Sequence, residues 1–397
     1  QNKPLWSVGG SWNIYKEKFF QADFVDMLKL RASYGIGGNI GRNTAPYLIA
    51  SYYDSSLVDG MAGAVNTAPN KDIRWEKTTT VNVGVDFALF RHRLSGTIEY
   101  YNKYSVDLLA AINGSPTQGF GYTTLMTNNG KMVNRGVEIT LSGEIIRQKD
   151  FSWNASLLYA FNRNKVKHIS VQPSLWDSRI SMPTSYPMVG KPLYGIYAYK
   201  WAGLNENGDP QVYDAENNVT SGPARDYHAL VYCGTTVPIH NASLTNVLRY
   251  KGFEFSAMLI LDAGHKLRSS NIPSINMSNG RITSTAKGIV DRWTQPGDVT
   301  DVPRLLFSND TENFNTHRTE LYRYSDLFVY DASNIRLSNI SLAYRVPAHW
   351  CKKISLSGAR LQFNVENVAT FAFDSKANYD LGGKVKPNYV WGLYLNF

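Results

Sequence analysis

The sequence lacks the long apolar runs of membrane-spanning helices and has very little cysteine. Uninterrupted apolar stretches, such as the five residues 257–261, fall far short of the roughly 20 that a membrane helix needs. Two cysteines among 397 residues are too few for a disulfide framework or a cysteine zinc cluster. Helical membrane proteins and cysteine-rich scaffolds are therefore excluded.

Signatures of catalysis and of nucleic-acid binding are also missing. The sequence has no Gly-x-Ser-x-Gly, no His-Glu-x-x-His and no phosphate-binding glycine loop, and its seven histidines are dispersed. The net charge of +9 comes from Lys and Arg residues that form no run of five or more, which is typical of a solvated surface. We therefore expect no enzyme, no cofactor, no metal site and no nucleic-acid partner.

Alternation of apolar and polar residues runs through most of the chain. In the last nine residues every second position is large and apolar: Tyr389, Trp391, Leu393, Leu395 and Phe397. This period places the five side chains on one face of a strand. The same period predicts eleven strands, at about 5–14, 28–36, 78–89, 93–104, 135–146, 151–162, 243–250, 253–264, 334–346, 354–366 and 389–397.

The connections between these strands alternate between short turns and long loops. Long loops are predicted at about 37–74, 110–131, 164–242, 265–333 and 367–388. Soluble all-β domains have connections of about 4 to 6 residues, whereas membrane barrels carry turns on one side and long loops on the other. The sequence thus predicts an all-β fold, a transmembrane antiparallel β-barrel, with its long loops outside the cell.

An odd number of strands predicts that the sequence is only part of a barrel, because bacterial single-chain barrels have even strand counts. The chain also opens at Gln1 without an initiator methionine or an apolar signal segment. We therefore expect a secretory signal and further strands to be missing from this sequence.

The two faces of the predicted strands have different chemistry. Polar rows that would hydrate the barrel lumen include Lys29, Arg31, Asn82, Asp86, Glu138 and Glu254. A packed core would reject these charges and a water-filled lumen accepts them. Four tryptophans lie on outward rows, where we predict membrane-interface anchors in contact with outer-membrane lipid: Trp6, Trp12, Trp153 and Trp391.

Six segments carry a family resemblance: LKLRASYG at 28–35, NVGVDF at 82–87, NGKMVNRGVE at 129–138, AGLN and GDP within 202–210, RYKGFE at 249–254 and IRLSNISLAY at 335–344. Together they resemble the C-terminal half of SusC/RagA-type TonB-dependent transporters of Bacteroidetes outer membranes. The resemblance extends from about residue 6 to residue 397.

This resemblance implies a 22-stranded barrel, of which eleven strands would be half. It also implies an N-terminal plug domain and early strands absent from this sequence, a SusD-like surface lipoprotein as a lid, and energy from TonB-ExbB-ExbD. Substrates in the family are mostly oligosaccharides, with some peptides. The terminal Phe397 resembles the signal that the outer-membrane assembly machinery reads.

Aromatic and charged residues in the long loops are the candidates for substrate contact, because sugar and peptide sites use aromatic platforms with polar neighbours. The candidates are Trp176, Asp177, Arg179, Tyr194, Trp201, Arg292 and Trp293. The alternative for each residue is packing between loops or against the lid protein.

Two further features have simpler interpretations. Residues 205–216 contain oxygen ligands at calcium-loop spacing, but Pro210 stands where that loop requires glycine, so a polar hairpin turn is the better interpretation.

Cys233 falls in a long loop and Cys351 in a short turn. The barrel topology therefore places them on opposite sides of the membrane and forbids a disulfide between them.

The function predicted from the sequence is TonB-dependent import of a bulky polar nutrient, an oligosaccharide or an oligopeptide, across the outer membrane. An alternative is a surface-binding or adhesion barrel without active transport. A second alternative is a soluble β-rich carbohydrate-binding protein, whose apolar rows would be hidden inside a sandwich.

Overall fold

The computed structural model describes residues 4–41, 47–54, 60–67, 69–113, 117, 124–173, 175, 177–222, 226–277, 285–307, 316–382 and 386–397. Its main element is one antiparallel sheet of eleven strands, in which each strand pairs with the next one along the chain. The strands are β1 Trp6–Asn13, β2 Val25–Asn39, β3 Glu76–Leu89, β4 Leu94–Asn113, β5 Thr124–Arg147, β6 Phe151–His168, β7 His240–Tyr250, β8 Phe253–Ala263, β9 Asn334–Arg345, β10 Gly358–Ala372 and β11 Asn388–Asn396.

Tight connections join the strands at one end of the sheet. The β7–β8 hairpin turns on Lys251 and Gly252, and Lys251 has φ +51°. A side chain at Gly252 would meet the carbonyl oxygen of Arg345 at 2.8 Å, so this turn requires glycine for close backbone approach. The other connections at this end are the 3₁₀ turn Ile14–Lys16 with the residues after it, the turns 90–93 and 148–150, and the segment 346–357 with the short helix α1, Ala348–Lys352.

The opposite end of the sheet carries the long connections, and several of them fold. Residues between β2 and β3 form a hairpin of Ile49–Asp54 with Met61–Thr67, and the β10–β11 connection holds the helix α2, Asn378–Gly382. The connections β2–β3, β6–β7, β8–β9 and β10–β11 lie at this end, as the sequence pattern predicts, whereas most of the loop predicted at about 110–131 belongs to β4 and β5, which end at Asn113 and begin at Thr124. No helix of the described residues is both long and apolar enough to cross a membrane.

The two longest connections pack together into a unit that we call the loop cap, residues 177–222, 226–235, 264–277, 285–307 and 316–333. Its larger hydrophobic cluster centres on Tyr197, Tyr199, Val212, Leu230 and Leu321. Its elements are the helices α3 Ser178–Ser181 and α4 Thr316–Arg323, the 3₁₀ helices Tyr227–Ala229, Lys287–Asp291 and Asp326–Phe328, and the strands Gly195–Tyr199, Trp201–Leu204, Pro210–Tyr213, Val219–Thr220, Leu230–Thr235, Lys266–Arg268, Asn276–Met277, Leu306–Phe307 and Val329–Asp331.

Pairing inside the loop cap joins segments that are far apart in the chain as well as neighbouring ones. Trp201–Leu204 pairs with Pro210–Tyr213, but Gly195–Tyr199 pairs with Leu230–Thr235, farther along the chain. Strands β4 and β5 also extend beyond their alternating segments. Both features arise from tertiary pairing, which local periodicity does not encode.

One face of the sheet is a continuous apolar surface. Cross-strand partners form an unbroken row over six strands: Trp153, Leu248, Phe255, Leu342, Phe363 and Trp391. Along this row the rings of Phe363 and Trp391 lie 4.2 Å apart between centroids. Large exposed side chains on this face, such as Leu393 at 62%, are what a lipid-facing surface requires.

Candidate functional site: the polar sheet face and the loop cap

The polar face of the sheet carries linked charges instead of apolar side chains. Arg31 on β2 donates to Asp86 on β3 at 3.0 Å, and its guanidinium lies 3.6 Å from a carboxylate oxygen of Glu99. Thr97 also donates to Asp86 at 3.0 Å, and Asn82 donates to Glu99. Each carboxylate therefore has at least two partners on this face, as a water-lined wall allows.

A second charge cluster lies near the tight-turn end of the same face. Glu254 accepts hydrogen bonds from Arg249 at 2.7 Å and from Arg360 at 3.0 Å. Lys251 and Arg345 line the same cavity of about 100 Å³. With four cations and one carboxylate in its lining, this cavity is net positive.

The loop cap has a buried aromatic core that holds the two connections together. Tyr197 and Tyr199 are each 1% exposed, and burial raises the pKa of both hydroxyls above the usual value for tyrosine. Arg268 donates to the carbonyl oxygens of Tyr197 at 2.6 Å and Ser325 at 3.3 Å. This guanidinium thus joins a strand of the first long connection to the end of helix α4 in the second.

An acid between two arginines forms a second link inside the loop cap. Asp209 receives hydrogen bonds from Arg304 at 2.8 Å and from Arg318 at 3.0 Å. Arg318 is 3% exposed, and burial lowers the pKa of its guanidinium. A cation in this position needs its carboxylate partner, so the cap is a folded unit rather than a set of independent loops.

Two tryptophans proposed for substrate contact have packing partners within the loop cap. The indole nitrogen of Trp201 donates to Asp301 at 2.9 Å, and its ring lies 5.9 Å from that of Tyr322. Trp293 covers the turn at Gly208, which has φ +74°, and a Cβ there would lie 2.4 Å from the indole ring. Both residues are half-buried, and contact of their accessible parts with substrate stays a prediction.

The remaining substrate candidates are spread over the cap. Arg179 lies over the ring of Tyr227, 4.8 Å from its centroid, and Asp177 precedes helix α3. Arg292 donates to the carbonyl of Ile289 at 3.4 Å, whereas Tyr194 is 46% exposed at the base of the cap. Trp176 lies outside the described residues. The described residues among these candidates thus have different neighbours, and their contact with substrate stays a prediction.

The four proposed membrane anchors are on the apolar face or its edges. Trp12 donates its indole N–H to Glu17 at 2.9 Å, beside the tight-turn end of β1. Trp153 donates to Asn246 at 3.1 Å, a polar residue within the apolar row of β7. Trp6 is 48% and Trp391 is 78% exposed. Asn246 is not among the residues predicted from the sequence, although an amide between Leu244 and Leu248 breaks the apolar row of β7.

The segment 205–216, which has calcium-loop spacing, forms a polar turn at residues 205–209, and both cysteines are free. Backbone N–H groups of Asn207 and Asp209 donate to the Asn205 side chain at 3.0 and 2.9 Å, which is the polar hairpin turn, and the described residues contain no cluster of three metal-binding side chains. Cys233 and Cys351 are free thiols. Burial raises the pKa of Cys233 to about 11.

Comparison with known proteins adds the decisive observation. A family model for the TonB dependent receptor-like β-barrel matches residues 1–368. The chain belongs to this family. It is 26% identical to TonB-dependent receptor P3 of Formosa agariphila over 99% of the chain. It is 25% identical to TonB-dependent receptor SusC of Bacteroides thetaiotaomicron over 91% of the chain.

Solved structures support the same fold. The structure of the RagAB peptide transporter matches 98% of this chain and 43% of that chain, with a TM-score of 0.76 and 24% identity. The chain spans 40% of the length of receptor P3 and 36% of SusC. The eleven strands are thus part of a TonB-dependent receptor barrel in the bacterial outer membrane, and they fit half of a 22-stranded barrel. The soluble alternative is wrong.

Proposed function

We propose that this TonB-dependent receptor chain forms the C-terminal wall and extracellular loops of an importer for a bulky polar nutrient. The observation that carries the proposal is the contrast between the two faces of one sheet. The apolar face suits lipid, and the opposite face presents charged and amide groups such as Arg31, Asp86 and Glu99. A passage lined in this way keeps a hydrated substrate in polar surroundings.

The loop cap supports a role on the outer surface. Because it has its own aromatic core and a buried ion pair, it can present a fixed surface to a nutrient or a partner protein. We propose that a SusD-like surface lipoprotein closes over this surface. TonB-ExbB-ExbD would supply energy through the part of the protein that lies outside this sequence.

Two nutrient classes fit this chemistry, an oligosaccharide and an oligopeptide. The similar RagAB structure is that of a peptide transporter, whereas the charged and aromatic residues of this chain suit either class. The proposed substrate residues are the candidates in the loop cap, of which Tyr194 is exposed and Asp177 and Arg179 are half-buried.

Energy-dependent uptake tests the proposal. Cells that express the complete gene, and cells from which it is deleted, would be supplied with labelled peptide and glycan mixtures, with and without a proton-gradient uncoupler. We expect uptake of one class that needs both the gene and the gradient. Retention of nutrient on the cell surface, independent of the gradient and without entry, would contradict import and indicate a surface-binding barrel.

Co-purification tests the proposed lipoprotein partner separately from import. Affinity purification of the complete protein from detergent-solubilised outer membranes is expected to recover a surface lipoprotein in a stoichiometric amount. Recovery of the barrel alone, under conditions where uptake is intact, would show that no such lid is needed.

A further inference from the structure

Two arginines lie on the apolar side of the sheet, where its apolar rows end. Arg135 on β5 and Arg163 on β6 are directly opposed partners, two positions beyond the opposed partners Val137 and Phe161. Because side chains two positions apart share a face of a strand, the arginines are on the same face as that apolar pair. Both side chains are exposed. We call these two residues the arginine pair.

The arginine pair lies at the height of a membrane boundary. On the same face of β6, Trp153 begins the apolar row near the tight turn, and Arg163 is ten positions farther along. With a rise of about 3.3 Å per residue and a tilt of about 40°, this stretch climbs roughly 25 Å, the height of the apolar band of a membrane barrel. Just below the pair, the rings of Phe161 and His240 lie 5.3 Å apart between centroids, and the Tyr159 hydroxyl is 2.8 Å from Nδ1 of His240. Aromatic rings at this level are typical of the headgroup interface.

Positive charge at the arginine pair is not balanced by the strands that carry it. Nε of Arg135 donates to the side-chain oxygen of Asn102 at 2.9 Å, which is a neutral partner. Strand β6 has no acidic residue, and the two acids of β5, Glu138 and Glu144, pair with positions on the polar face. Lys165, two positions after Arg163, adds a third cation to the outward face. Like charges directly opposite each other destabilise a sheet, so an anion between the two guanidinium groups would relieve their repulsion.

We propose that the arginine pair binds the phosphate of lipid A in the outer leaflet of the membrane. A guanidinium forms two parallel hydrogen bonds to phosphate oxygens, and two guanidinium groups on adjacent strands share the charge of one phosphate. The acyl chains of the same lipid lie along the apolar rows directly below. A soluble anion meets the charges but leaves these rows uncovered. The inference goes beyond import and uses only the proposed placement of the long loops outside the cell.

Native mass spectrometry of the complete transporter, delipidated in detergent, tests the inference. The protein is titrated with monophosphoryl lipid A, with the same lipid after removal of its phosphate, and with inorganic phosphate. We expect the phosphorylated lipid to bind about tenfold more tightly than the dephosphorylated lipid, because only the former gains charge-assisted hydrogen bonds. Inorganic phosphate is expected to give no adduct at the same concentrations.

The variant Arg135→Gln/Arg163→Gln is expected to reduce the preference for the phosphorylated lipid to about onefold. Lys103→Gln is the matched control. Lys103 pairs with Asn134, the neighbour of Arg135, and so lies at the same height on the polar face, with its ammonium 5.0 Å from the centre of the Tyr101 ring. We expect this variant to keep the full preference. Heat-modifiable gel mobility confirms that each barrel is folded.

Equal binding of the two forms of lipid A would overturn the inference, as would an unchanged preference in the double variant. Inorganic phosphate that binds as tightly as the lipid would also overturn it, because the apolar rows would then contribute nothing. Gradient-dependent uptake is measured separately on wild-type cells. Intact uptake together with any of these results rejects the lipid site and leaves import standing, whereas a lipid preference without gene-dependent uptake rejects import alone.

Discussion

The guanidinium of Arg318 donates to the carboxylate of Asp209 at 3.0 Å, and the two residues are 109 positions apart in the chain. One residue lies in the connection between β6 and β7 and the other in the connection between β8 and β9. This ion pair therefore joins two long loops that emerge from different strand pairs. Arg318 also donates to the carbonyl oxygens of Ile275 and Arg304, at 3.2 and 2.7 Å.

The first prediction concerns Asp209→Asn, which leaves the buried Arg318 without a counter-charge. We expect the free energy for opening of the loop cap to fall by about 3 kcal/mol, the lower end for buried pairs, because the Asp209 side chain is still 21% exposed. Hydrogen exchange of the amides in α4 measures this change on the complete transporter. Glu216→Gln, at an exposed turn of the same connection, is the control, and unchanged exchange in Asp209→Asn would refute the role of the pair.

The second prediction uses neighbours on β5 that face opposite sides of the sheet. Ile139 lies between Ile98 and Tyr159 in the apolar row, and Thr140 lies between Thr97 and Leu158 on the other face. Ile139→Arg is expected to destabilise the barrel by about 2–4 kcal/mol if it lies near the bilayer midplane. Thr140→Arg is expected to change stability little, since an arginine there can reach water.

Folding titrations of the complete protein into lipid vesicles measure both variants. Equal losses for the two arginines would mean that the two faces are not lipid-facing and water-facing as the structure assigns them.

The third prediction concerns the polar pair in the apolar face. Trp153→Phe removes the N–H that Asn246 accepts at 3.1 Å and leaves an amide oxygen unpaired against lipid. We expect a loss of about 1–2 kcal/mol in barrel stability. Asn246→Leu combined with Trp153→Phe is expected to recover most of that loss, because no polar group then remains unpaired.

Trp391→Phe is the control for loss of an indole alone. If the double variant is as unstable as Trp153→Phe, the loss comes from the ring and not from the hydrogen bond.

The fourth prediction concerns the reactivity of Cys233. Burial disfavours the thiolate and raises the pKa to about 11, so only a small fraction is ionised at pH 8. Since the thiolate is the reactive form, alkylation by iodoacetamide is expected to rise about tenfold per pH unit from pH 7 to pH 9.5 without levelling. Peptide mass mapping of Cys233 in the Cys351→Ser background gives the rate, and a plateau near pH 8.5 would contradict the burial effect.

The sequence by itself determined the barrel strands, because a period of two is a local property that survives in any environment with one apolar and one polar face. The outward row through Trp153 and Trp391 and the inward charges at Arg31 and Asp86 could be read directly from it. So could the alternation of tight turns and long loops. The family segments, such as those at 28–35 and 129–138, then agreed with the family match.

Only the tertiary structure decided how the long loops fold. Neither the pairing of Gly195–Tyr199 with Leu230–Thr235 nor the pairing of Asp209 with Arg318 has a local signal, since each joins residues far apart in the chain. For the same reason the sequence could not show that Trp201 and Trp293 pack inside the loop cap.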